Sequence, residues 1–149
     1  MSTLTAELRD QTQTARLSVN EHRVVHHAYM LLYVAFILAP IIAGLDKFFD
    51  VLVRWDQYLA PVVASSLPVT PHVFMMIVGA IEIIAGLVVL FWPSVGAWVV
   101  AIWLWAIILN LLLGRGHYDI ALRDAGLSLG ALALAQLCRL SPWSFRMST

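Results

Sequence analysis

The stretch from Val73 to Trp92 contains one charged residue, Glu82, and is otherwise free of charge. About 20 consecutive apolar residues are enough for a helix to cross the hydrocarbon core of a bilayer. A charged side chain at the middle of such a helix is disfavoured by about 2.5 kcal/mol or more. The stretch therefore predicts a membrane helix in which Glu82 faces other protein segments and finds a partner or takes up a proton.

The composition of the whole chain also indicates a membrane protein. Of its 149 residues, 61% are hydrophobic and 12% are charged, and the mean hydropathy is +0.84. Soluble domains are about 45–50% apolar and about 25% charged. Nine basic residues balance nine acidic ones, so the net charge favours no nucleic-acid partner. The single cysteine, Cys138, excludes an internal disulfide.

Four apolar stretches are long enough to predict an all-α bundle of four transmembrane helices. These predicted spans are residues 28–45, 73–92, 96–113 and 120–140. The fourth is the least apolar, but its small residues suit close helix packing. The predicted organisation is a polar N-terminal arm (1–24), a membrane domain (25–140) and a C-terminal tail (141–149).

The segment between the first two spans predicts an amphipathic helix lying in the membrane interface. Phe48, Leu52, Trp55 and Leu59 recur at helical spacing before Pro61 ends the pattern. Four spans place both termini on one side, and basic residues are almost evenly divided between the two sides. We expect a multi-pass membrane protein with cytoplasmic termini.

Polar residues cluster at the membrane side that carries the predicted interfacial helix. They are Asp46 and Lys47 at the end of the first span, Asn110 in the third, and Arg123 and Asp124 in the fourth. Long basic side chains at the ends of spans can extend some distance along the membrane normal. We expect Arg123 to pair with Glu82, with Lys47 as the second choice, and we take these six residues as candidate ligand-binding residues.

Other interpretations of the same residues remain open. A buried ion pair with Asn110 can serve only to hold the helices in register, and Asp46 and Lys47 can be solvated residues at a span end. Trp103 and Trp105 lie deep in the third span, where large aromatic residues usually pack but can also line a pocket. No histidine lies inside a predicted span and the histidines are divided between the two sides, so we expect no metal site.

Three stretches resemble the DoxX family of small four-helix bacterial membrane proteins. They are "AGLDKFFDVLVRWDQYLAP" at residues 43–61, "GAIEIIAGLVVL" at 79–90 and "HYDIALRDAGLSLGALALAQL" at 117–137. The resemblance implies a compact four-helix bundle in the cytoplasmic membrane. Relatives in that family include membrane subunits linked to thiosulfate:quinone oxidoreduction and to thiol-oxidative defence, which implies a quinone-linked role.

Two functional hypotheses follow. In the first, the chain is a membrane subunit of a quinone-linked or thiol/sulfur redox assembly, with a polar pocket around Glu82 and Arg123. It has no cofactor of its own, takes a quinone as ligand, and depends on another membrane or membrane-associated redox protein for electrons. In the second, the chain is a structural or assembly subunit that docks on a larger membrane complex and has no chemistry of its own.

Overall fold

The computed structural model describes residues 2–114 and 116–140, with side chains for residues 22–114 and 116–139. Over these residues the chain forms α-helices and short connections. The helices are α1 (Ser2–Phe49), α2 (Pro61–Ala64), α3 (Pro71–Phe91), α4 (Pro93–Leu113) and α5 (Tyr118–Leu140), with a single 3₁₀ turn at Trp55–Tyr58. The predicted C-terminal tail (141–149) lies outside the described residues.

Four of these helices are long and apolar enough to cross a membrane: His22–Phe49 of α1, Pro71–Phe91, Pro93–Leu113 and Tyr118–Arg139. They correspond to the four spans predicted from the sequence, with boundaries that differ by a few residues. The first half of α1 is the segment predicted as an N-terminal arm, and its backbone continues into the first span as one helix.

Prolines set the beginnings of the two central helices. Pro71 is at the first position of α3, where Thr70 caps the helix by accepting a hydrogen bond from the Val73 amide. Pro93 begins α4 directly after Trp92, which has a non-helical backbone conformation. A proline at the first helical position loses no internal hydrogen bond and disfavours helix in the residue before it. The connection from α3 to α4 is therefore only one residue long, shorter than the turn predicted at 93–95.

Glycines bring α3 into close backbone contact with α1 on one side and with α4 on the other. A Cβ atom on Gly79 of α3 would lie 2.5 Å from the carbonyl oxygen of Gly44 in α1. A Cβ atom on Gly96 of α4 would overlap the backbone of Val89 in α3. Such small residues allow membrane helices to pack closely. The α1 helix therefore packs closely along α3, and α3 contacts α4. The α4 helix in turn packs along α5.

The hydrophobic core fills the half of the bundle nearer the α3–α4 turn. Its buried members come from all four spans and include Phe36, Val89, Val100 and Leu134. Here α1 reaches α5, where the Phe36 ring lies against Gly130. A second, smaller core of Ile108, Leu111 and Ala121 joins α4 to α5 at the opposite end. Between these two cores the bundle is not filled by side chains.

The predicted interfacial helix at Phe48–Leu59 is wrong. The α1 helix ends at Phe49, and Asp50 takes a left-handed conformation with φ 48°. Beyond it the chain has only the 3₁₀ turn and the four-residue α2 before Pro71. The Asp46 carboxylate accepts hydrogen bonds from the amides of Val51 and Leu52. These side-chain hydrogen bonds satisfy the two amides in a turn. They thus compete with the backbone hydrogen bonds that would continue the helix.

Candidate functional site

The centre of the candidate site is an ion pair between Lys47 and Glu82. Lys47 Nζ donates to Glu82 Oε2 at 2.6 Å, and both side chains are less than 10% exposed. Glu82 is thus enclosed by protein, which confirms the prediction that it faces the bundle. Lys47 also approaches its own helix, with Nζ 3.5 Å from the Ala43 carbonyl oxygen. The lysine therefore points away from the nearby end of α1 and toward the middle of the bundle, opposite to the usual direction for lysine at a span end.

The prediction that Arg123 is the partner of Glu82 is wrong. The Arg123 side chain is 66% exposed, and its Nε lies 3.4 Å from Oδ1 of Asp124, the next residue in α5. Lys47 reaches Glu82 because Gly44 and Gly79 bring α1 and α3 together at this level. The contact between two glycines leaves no room for another helix between the lysine and the glutamate.

Asp46 organises the segment that closes the site from the loop side. In addition to the two backbone amides, its carboxylate accepts a hydrogen bond from the Trp55 indole at 2.7 Å. This bond places the indole ring over the Lys47 ammonium, 3.6 Å from Nζ to the ring centroid. A cation over an aromatic face is attracted by the ring's electrons. Asp46 thus acts on the ion pair through Trp55, a role that sequence reasoning missed because it assigned Trp55 to an interfacial helix.

Asn110 connects α4 to the same loop segment. Its side-chain nitrogen donates to the Tyr58 carbonyl at 2.8 Å, and its oxygen accepts from the Ala60 amide at 3.0 Å. Both ends of the amide are therefore used to satisfy loop backbone groups that would otherwise lack partners inside the protein. Asn110 thus holds the loop against α4. Its role in ligand binding stays a prediction.

Asp124 is the third acidic group at this level. It is buried, with a side chain 7% exposed, and its one described donor is the distant Nε of Arg123. The Lys47 ammonium is close enough to act electrostatically on Asp124 as well as on Glu82. We refer to Lys47, Glu82 and Asp124 as the polar cluster.

The polar cluster borders a cavity of about 740 Å³, which we call the bundle cavity. Its walls come from the four spans and the loop after α1, and are mostly apolar. Five lining residues of α1 and α5 remain exposed: Ala35, Ala39, Arg123, Gly126 and Leu127. The cavity therefore opens sideways between α1 and α5, on the loop side of the contact between Phe36 and Gly130. Its volume lies within the usual range of about 300–1,000 Å³ for small-molecule sites.

Trp103 of α4 also lines the bundle cavity, whereas its neighbour Trp105 is exposed on the outside of the bundle. The Trp103 Nε1 atom is fully buried, and no described residue accepts its proton within hydrogen-bond geometry, although the Glu82 carboxylate lies nearby. A buried donor without an acceptor costs about 1–3 kcal/mol. The helical periodicity of α4 separates the two tryptophans, but sequence reasoning could not tell which one faces the cavity.

The described residues offer a cavity for a ligand but no metal-binding cluster. Among the residues that the structure describes, no three His, Cys, Asp or Glu side chains lie close enough together to bind a metal ion. All six candidate ligand-binding residues except Asp46 line the bundle cavity. The arrangement therefore offers an amphipathic small molecule an apolar enclosure with hydrogen-bonding groups on its wall.

Comparisons with known proteins found no relative of this chain. No protein-family model, no curated protein and no solved structure matches it.

Proposed function

We propose that this chain is a DoxX-like, multi-pass subunit of the bacterial inner membrane that binds a quinone in the bundle cavity and works with a separate redox protein. The observation that supports this function is the combination of an apolar cavity with a polar cluster on its wall. A quinone has an apolar tail and a ring with polar oxygens, and it dissolves in lipid. The sideways opening between α1 and α5 suits entry of such a molecule from the bilayer.

The chemistry of the lining also agrees with a neutral ligand. Lys47 and Arg123 bring two positive charges, and Glu82 and Asp124 bring two negative ones. A ligand with a net charge would have no counter-charge left in this low-dielectric setting, where an unpaired charge is costly. The residues of the cluster would hold the head of the ligand and exchange protons with it. The redox partner, with thiol or sulfur substrates, would supply or remove the electrons.

A binding measurement with a cavity-filling variant tests this function. The full chain in lipid nanodiscs is titrated with a radiolabelled decyl-substituted benzoquinone. Gly126 lines the cavity, and a Cβ atom placed on it meets nothing within 4 Å, so Gly126→Phe fills the cavity. We expect this variant to weaken binding at least about tenfold, because the ring occupies the volume that the ligand needs.

Leu122→Phe is the matched control, since Leu122 lies on the same helix and is 76% exposed. It should bind as the parent does. Absence of saturable binding to the parent protein, or equal binding by the parent and Gly126→Phe, would overturn the proposal. The first of these results would leave the chain as a structural or assembly subunit.

A further inference from the structure

The hydrogen-bonding capacity of Lys47 is used within the protein. Its ammonium has three N–H groups. One is directed to Glu82 Oε2 at 2.6 Å, the Ala43 carbonyl lies 3.5 Å away, and the Trp55 ring covers the nitrogen at 3.6 Å. The Asn110 amide is likewise engaged, with Tyr58 and Ala60. Lys47 therefore has no strong donor left to offer to a ligand in the bundle cavity, whereas Asn110 keeps the second N–H of its side-chain amide.

The oxygen atoms left free at the polar cluster are acceptors. No described residue donates to Glu82 Oε1 or to Asp124 Oδ2 within hydrogen-bond geometry. The one buried donor without an acceptor on this lining is Trp103 Nε1. Arg123 lies at the exposed rim, and the Tyr58 hydroxyl can either donate or accept. The cavity thus presents two carboxylate oxygens at the polar cluster, one indole N–H near Glu82, and one N–H of Asn110.

We infer that the bundle cavity binds the reduced, hydroxyl-bearing form of its ligand more tightly than the oxidised dione form. Each hydroxyl of a hydroquinone can donate to a carboxylate oxygen and accept from the Trp103 N–H. A dione has only acceptor oxygens, which would meet carboxylate oxygens with no proton between them. Hydrogen bonds to charged acceptors are the stronger class. This inference rests on the proposed function and adds to it which redox form is favoured.

Three ligands that differ only at the two oxygens test the inference on the unmodified protein. They are the decyl-substituted benzoquinone, its hydroquinone kept reduced without oxygen, and the dimethyl ether of that hydroquinone. The ether keeps the shape and removes both donors. We expect the hydroquinone to bind about tenfold more tightly than either of the others, which corresponds to about one charge-assisted hydrogen bond.

A matched pair of variants locates the effect. Asp124→Asn replaces a free carboxylate oxygen with an amide that can donate, and should reduce the preference for the hydroquinone to about threefold or less. Asp119→Asn makes the same change on the exposed face of α5, away from the cavity lining, and should keep the preference. Melting temperatures in the same nanodiscs show whether each variant is folded.

The possible outcomes are distinct. Equal binding of the three ligands, or tighter binding of the quinone, would overturn this inference and leave the proposed function standing. Binding of none of them would overturn both. If Asp124→Asn does not fold, the ligand series on the parent protein still decides between these outcomes.

Discussion

At the scale of single residues, one lysine determines whether Glu82 is tolerated inside the protein. A buried ion pair adds little net stability by itself, but removing one partner leaves a buried charge without compensation. The sequence was sufficient to predict that Glu82 is enclosed and that its partner comes from the loop side. It was not sufficient to select Lys47 over Arg123, because that choice depends on how α1 and α5 are rotated relative to α3. The contact between Gly44 and Gly79 settles it, and this contact appears only in the fold.

Replacing the buried Lys47 should therefore be far more harmful than replacing a basic residue at the surface. We expect Lys47→Met to lower the free energy of unfolding by about 3–5 kcal/mol, as for other broken buried pairs. The double variant Lys47→Met with Glu82→Gln should be more stable than Lys47→Met alone, because it leaves no buried charge. Unfolding in mixed micelles titrated with dodecyl sulfate measures both differences.

Arg54→Met is the control for this experiment, since Arg54 pairs with Asp56 at 3.6 Å and its side chain is 80% exposed. Its effect should stay within about 1 kcal/mol. If Lys47→Met were as stable as the parent protein, the ion pair would have no part in holding α1 against α3.

At the scale of helices, apolar length predicted the spans well and amphipathic spacing predicted the loop badly. A span depends on the hydropathy of about 20 residues together, which the sequence contains in full. The segment after α1 depends instead on individual contacts: Asp46 captures two amides and the Trp55 indole. Such side-chain hydrogen bonds compete with helix formation, and they are not visible in the spacing of apolar residues.

Two glycines in the middle of spans should respond oppositely to alanine. Gly79→Ala places a methyl group against the backbone of α1 and should destabilise the protein by about 1–3 kcal/mol, the usual cost of overpacking. Gly126→Ala meets nothing within 4 Å and should be neutral or stabilising by up to about 1 kcal/mol, since alanine is the better helix former.

The same dodecyl sulfate titration measures this pair of variants. Equal effects at the two positions would contradict the close packing of α1 on α3.

Gly86 is a further member of that contact, because a Cβ atom there would meet Ile41 and the Ile37 carbonyl of α1. A large residue at position 86 should therefore disrupt the packing of α1 on α3 within this chain, whether or not a docking partner is bound.

At the scale of the whole molecule, the order of the helices divides the connections between two sides. The loop between α1 and α3 and the α4–α5 connection lie at one end of the bundle, and the α3–α4 turn lies at the other. The bundle cavity extends from the loop at the first end into the middle of the bundle, where the polar cluster lies. The side of the membrane on which Ser66 lies therefore gives the side nearer the loop end of the cavity, and Ser94 should lie on the opposite side.

Labelling of single cysteines tests this arrangement. In a Cys138→Ala background, Ser66→Cys lies in the loop before α3 and Ser94→Cys lies in the first turn of α4, and both positions are exposed. We expect a maleimide that cannot cross the membrane to label position 66 from outside the inner membrane. Position 94 should be labelled only after the cells are opened. Labelling of both positions from the same side would contradict four membrane crossings.

The pairing of α1 with α3 has a consequence for the order in which the protein is made. Lys47 and Glu82 belong to consecutive spans, α1 and α3, and the Trp55 that covers the lysine is synthesised between them. The insertion machinery can thus receive the acidic span together with its counter-ion, as a hairpin of balanced charge. The later spans add the remaining walls around a carboxylate that has already been neutralised.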